Sequence, residues 1–105
     1  SLDIVFVLDA SGGIGEDNTE KMKHFVNEFI SQFHVGFGGT RFALAQTPND
    51  GESQAYFHFK LNDFVNTTKL QAAVNNKVYF SGGHTCTSYV IEQAYDEFFV
   101  RTYPE

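Results

Sequence analysis

The residues best suited to chemistry lie in one short segment, Asp9-Ala10-Ser11-Gly12-Gly13. A carboxylate is followed two residues later by a hydroxyl, and then by glycines. Oxygen donors of this kind suit a hard cation. Magnesium takes six oxygens in near-octahedral geometry at about 2.0–2.1 Å and keeps several waters, so few protein ligands are needed. Other chemistries find less support. Ser11 is not in a G-x-S-x-G elbow. His24, His34, His58 and His84 are scattered through the chain, and His84 with Cys86 does not complete a zinc set. His24 and His58 are expected on a helix and a strand surface, His34 at a helix end and His84 in a loop.

The elements around this segment decide where it sits. Leu2 to Leu8 (LDIVFVL) is a short apolar run, as expected of a strand buried on both faces at the centre of a parallel sheet. The polar stretch Asp9 to Asn18 is a loop. Thr19 to Phe33 places Met22, Phe25, Val26, Phe29, Ile30 and Phe33 at helical spacing, and Gly36, Gly38 and Gly39 follow it. Arg41 to Thr47 is a second strand, and Pro48-Asn49-Asp50-Gly51 a turn. Ser53 to Leu61 is a half-exposed hairpin strand, with Phe57, Phe59 and Leu61 on one side and Gln54, Tyr56, His58 and Lys60 on the other. Asn66 to Asn76 is a short helix with Leu70, Ala73 and Val74 inward. Val78 to Phe80 is extended, Ser81 to His84 a loop, and Thr85 to Phe99 a last helix. The order β, α, β, β, α, α predicts an α/β sandwich of three layers, with a mostly parallel sheet and one antiparallel edge strand. Ligand sites in such sheets lie at the carboxyl ends of the strands, which is where Asp9 to Gly15 falls.

Composition narrows the functional classes. The 105 residues suit one domain, and 13 acidic against 7 basic residues leave a net charge of −6. Nucleic acid is not an expected partner, because phosphate binding needs a basic patch. The single cysteine, Cys86, excludes an internal disulfide and leaves a buried residue, a free thiol or half of an intermolecular bridge. No stretch approaches the roughly 20 apolar residues of a membrane span. The start at Ser1-Leu2-Asp3 reads as a domain cut from a longer precursor. Asn66-Thr67-Thr68 is a glycosylation sequon, meaningful if the chain is secreted.

DIVFVLDASGGIG, the helix after it and the later GGHTCT resemble the A domains of von Willebrand factor, matrilins, type VI collagen and integrin α subunits. HVGFGGTRFALAQ and LNDFVNTTKLQAAV extend the likeness over nearly the whole chain. The family's metal-ion-dependent adhesion site (MIDAS) begins D-x-S-x-S. Asp9 and Ser11 match its first two ligands, and Gly13 stands at the third. Thr85, in Gly82-Gly83-His84-Thr85-Cys86-Thr87, matches the threonine of the family's G-G-x-T-x-T loop. The resemblance implies a Rossmann-like sandwich and a metal set of Asp9, Ser11 and Thr85 holding Mg2+, or Mn2+ or Ca2+. It implies binding without catalysis, with extracellular matrix proteins such as collagen as partners. It also implies an extracellular, secreted setting. The family's later T-D-G-type segment is not found before Glu105, so residues 1–105 are expected to be a partial A domain.

Two other readings compete. Gly13 removes a hydroxyl, which favours a metal-free module that assembles matrix by protein contact alone. Separately, Ala10 to Gly15 resembles the T-G-x-x-x-G-x-G loop of short-chain dehydrogenases, an NAD(P)-binding family, and Tyr56-x-x-x-Lys60 mimics that family's catalytic spacing. Against this, Asp9 falls on the pattern's first glycine, where a carboxylate would oppose a pyrophosphate. The acidic ribose ligand expected about 20 residues on is also missing.

Overall fold

The computed structural model describes residues 2–83 and 87–100. Its elements are β1 (Leu2–Leu8), α1 (Glu16–Ile30), β2 (Thr40–Gln46), β3 (Tyr56–Phe59), α2 (Thr67–Lys77) and α3 (Thr87–Tyr95). A π-helical turn, Asp96–Val100, continues from α3. The sheet order is β1-β2-β3, with β1 parallel and β3 antiparallel to β2. Helices cover both faces, as expected of a three-layer sandwich.

β2 is the centre of the molecule. All seven of its residues are buried. Phe42 and Leu44 face one layer, where they meet Val26 and Ile30 of α1 and Leu70 and Val74 of α2. Ala43 and Ala45 face the other, against Ala94 and Phe98. Large residues on one face and alanines on the other let the second layer approach closely. Leu2–Leu8 was expected to be that central strand. Among the described residues it lies instead at the sheet margin, and four of its seven residues are half-buried. Its period still holds: Ile4 and Phe6 pack toward α1, Val5 and Val7 toward α3. Asp3 is tied to β2, because Arg41 donates to both its carboxylate oxygens at 2.8 Å. That contact holds the Asp3 carboxyl below its ordinary range.

Helix bounds shift for local reasons. α1 starts three residues before Thr19, because Gly15, at φ 88°, turns the chain directly into it. Glu16 and Asp17 then occupy the first turn, where the helix dipole favours them. Phe25, expected on the apolar face, is 62% exposed. Asn66 caps α2 by accepting from the Lys69 N–H, and Leu70, Ala73 and Val74 are buried as expected. In the last helix Val90, Ala94 and Phe98 point inward. Ile91, Tyr95 and Phe99 stay exposed, beside an apolar cleft over Val5 and Val7.

β3 departs from simple alternation. Leu44 pairs with Phe59 and Ala45 with Phe57, so His58 is the extra residue of a bulge. Phe57 therefore packs on Phe98 and Phe59 on Phe64, in opposite layers. The expected common face of Phe57, Phe59 and Leu61 is lost for this reason.

Phe42 is fully buried and stacks on Phe6. Phe42→Ala should cost about 3–5 kcal/mol of stability. Urea unfolding checks it, and a loss below about 1 kcal/mol would remove Phe42 from the centre of the core.

Candidate metal centre

β1 ends at Leu8, and the chain enters the loop with Asp9 half-buried and Ala10 fully buried. The Asp9 Oδ1 accepts from the Ser11 N–H at 3.0 Å, so the carboxylate is turned over its own loop. Ser11 is half-buried and Gly13 exposed. Backbone bonds from Ile14 and Gly15 to the Ser11 carbonyl complete the turn into α1.

A second loop closes on the first. The Gly12 N–H donates to the Gly83 carbonyl at 3.0 Å, and the Ser81 and Gly82 N–H groups donate to the Ala10 carbonyl at 3.0 and 3.1 Å. There is little room to spare at Gly12, and glycine is required at Gly83. A side chain on Gly12 would meet the Gly83 oxygen at 3.3 Å, and one on Gly83 would lie 2.7 Å from the Asp50 Cα. The Gly83 backbone, at φ 70°, also disfavours any other residue. Asp9, Ser11 and the Gly82-Gly83 loop thus meet at the carboxyl end of β1. Thr85, with His84 and Cys86, lies outside the described residues.

The donor chemistry fits a hard cation: one carboxylate, one hydroxyl, and space around Gly13 for water. Nothing lies within 4 Å of a Cβ built on Gly13, and its backbone is outside the left-handed region. Among the described residues no group of three or more His, Cys, Asp or Glu could hold a metal. A cation here depends on hydroxyls and water beside Asp9.

Some buried polar contacts at the end of β2 were not visible in the sequence. Gln46 is fully buried at the end of β2. Its amide donates to the Tyr79 carbonyl at 2.8 Å and its oxygen accepts from the Tyr79 N–H at 3.1 Å. The same oxygen lies 2.6 Å from His58 Nε2, so that nitrogen carries the proton. His58, expected on a strand surface, is half-buried and packs on the Tyr56 and Tyr79 rings. Burial, with the Lys77 charge, lowers its pKa to about 4. Tyr56 and Lys60 are both engaged elsewhere, with Glu52 and Glu97. The hydrogen bond to Glu52 pushes the Tyr56 phenol up to about 12.

A sequence model of the von Willebrand factor type A domain matches residues 3–104. The chain belongs to this family. It is 35% identical over 83 residues to the collagen alpha-4(VI) chain of Mus musculus, covering 79% of this chain and 3% of that one. Matrilin-2 of Mus musculus is 33% identical over 82 residues, 78% of this chain and 8% of its own length. Integrin alpha-X of Mus musculus is 34% identical over 99 residues, 92% and 8%. The A-type domain here therefore corresponds to a small part of each relative. Among solved structures, proximal thread matrix protein 1 from the mussel byssus superposes with a TM-score of 0.80 at 29% identity. The match covers 95% of this chain and 25% of that one, whose MIDAS motif holds zinc. Relatives of this A-type domain thus occur in matrix proteins and in integrins. No helix among the described residues is long and apolar enough to cross a membrane.

Neutral His58 carries a pH dependence. Its folded pKa is lowered, so between about 6.5 and about 4 the unfolded chain binds the extra proton. This contribution is complete above pH 6.5 and is lost as pH falls toward 4. Melting temperature should drop over that window, and His58→Gln should flatten the drop relative to wild type. Equal slopes in both proteins would remove His58 as the cause.

Proposed function

We propose that this A-type domain is a protein-binding adhesion or matrix module that uses a divalent cation, and that it catalyses no reaction. The observation that carries this reading is the meeting of the Asp9-x-Ser11 turn with the Gly82-Gly83 loop at the end of β1. Asp9, Ser11 and Thr85 hold the cation, and water replaces the hydroxyl missing at Gly13. Mg2+ is the first choice, with Mn2+ and Ca2+ as alternatives, because the donors are all hard oxygens. The bound ion supplies a positive centre with an open position for a partner's carboxylate. Asp9 and Ser11 fix where that position points, and the exposed backbone at Gly12 and Gly13 leaves room for the incoming side chain. The partners are extracellular matrix proteins, collagens among them, and the setting is extracellular. The matrix and integrin relatives support both statements.

A second reading rests on Gly13. Without that hydroxyl, the domain assembles with other matrix proteins by direct contact and uses no metal.

Thermal melts with Mg2+, Mn2+, Ca2+ or chelator separate the two. A site filled at 100 times its dissociation constant adds about 2.7 kcal/mol, several degrees for a domain of this size. The rise should vanish in Asp9→Ala. No shift with any ion would leave the metal-free module standing.

Gly13→Ser meets neither steric clash nor backbone strain. It should return the third hydroxyl and tighten Mn2+ binding roughly tenfold, within the range by which groups around a metal site alter affinity. Titration calorimetry reads the change. Unaltered affinity would mean that position 13 does not face the cation.

A further inference from the structure

The loop is closed by a ring of hydrogen bonds that contains no metal ligand. The Ala10 N–H donates to Thr47 Oγ1 at 2.9 Å. The Ser81 hydroxyl donates its single proton to the Ala10 carbonyl at 3.0 Å. Thr47 Oγ1 and Ser81 Oγ are 3.2 Å apart, and since the Ser81 proton is already used, Thr47 is the donor between them. The circuit runs from Ala10 N–H to Thr47, to Ser81 and back to Ala10 C=O, each hydroxyl donating once. Both backbone polar groups of Ala10 are thereby satisfied, although Ala10 and Thr47 are 0% and 1% exposed. Ala10 is the residue between Asp9 and Ser11.

We infer that Thr47 and Ser81 are positioning residues that preform the Asp9–Ser11 turn before any cation binds. The inference deepens the metal-site reading and rests on it for its functional meaning. Three segments distant in sequence meet at one peptide: the end of β1, the end of β2 and the loop that leads to Thr85. The Ala10 carbonyl also receives the Ser81 and Gly82 amides, so the second loop is set by the same atom. A turn held this way loses little further freedom when an ion binds, which offsets the hydroxyl missing at Gly13. Thr47→Val keeps the side-chain shape and leaves the Ala10 N–H buried without a partner.

The test uses the whole chain, with two readouts. Amide hydrogen exchange in chelator reports on the ring without metal, and Mn2+ titration reports on the site. In wild type the Ala10 and Gly82 amides should be protected in chelator. In Thr47→Val their exchange should rise at least ~10-fold while Ala43 and Leu44 stay unchanged, as for a local opening. Mn2+ affinity should weaken about 10–100-fold, the usual effect of losing a group that orients a ligand. Thr47→Ser should restore both, and Ser81→Ala, on the loop, should repeat the loss if Thr47→Val fails to fold. Unprotected Ala10 and Gly82 amides in metal-free wild type would overturn the inference. So would Thr47→Val exchange that rises equally along β2, or unchanged Mn2+ affinity in Thr47→Val. Wild type that binds no Mn2+ yet shows the protected ring would sink the metal reading and leave the preformed turn in place.

Discussion

Burial of β2 along its whole length imposes a demand on everything around it. Backbone N–H and C=O groups removed from water must be satisfied by neighbours. β1 pairs with all of Thr40–Gln46, and β3 with Leu44–Gln46. At the last ladder pair and one residue past it the strand is polar and buried, and the side chains of Gln46 and Thr47 extend the same task. The Gln46 amide pairs with both backbone groups of Tyr79, as another strand would. Thr47 receives the Ala10 amide. The carboxyl end of β2 is thus an extension of the sheet's hydrogen-bond network.

This arrangement explains why the site can be built from small residues. Ala10 lies between the half-buried Asp9 and Ser11, while its own N–H and C=O are anchored to Thr47 and Ser81. At Gly12 and Gly83 two backbones meet through a direct hydrogen bond, and Gly83 also packs against Asp50 where a side chain would not fit. The result is a hydrogen-bonded support beside one carboxylate and one hydroxyl. A cation held by such donors would rely on placement more than on charge, which suits an ion that keeps part of its water.

The bulge at His58 serves the same end. It turns Phe57 and Phe59 into opposite layers, and brings an imidazole against the Gln46 oxygen. A neutral His58 donates there without placing a charge beside the core. Its low pKa is a consequence of that burial.

The sequence by itself determined the element order, the parallel and antiparallel pairings, and the position of the Asp9-x-Ser11 turn at a strand end. Those follow from local patterns: an apolar run, helical spacing, and turn residues between strands. The family resemblance placed Thr85 in the same group. Only the tertiary structure decided that, among the described residues, β2 is the central and fully buried strand and β1 the half-buried one, because strand order depends on how crossovers pack. Only the fold joined Thr47 to Ser81 across 34 residues of sequence, and His58 to Gln46 across a bulge. A hydroxyl or imidazole carries no local mark of its partner. Periodicity reports which way a side chain points along its own element, and a single inserted residue reverses that beyond the reach of the pattern.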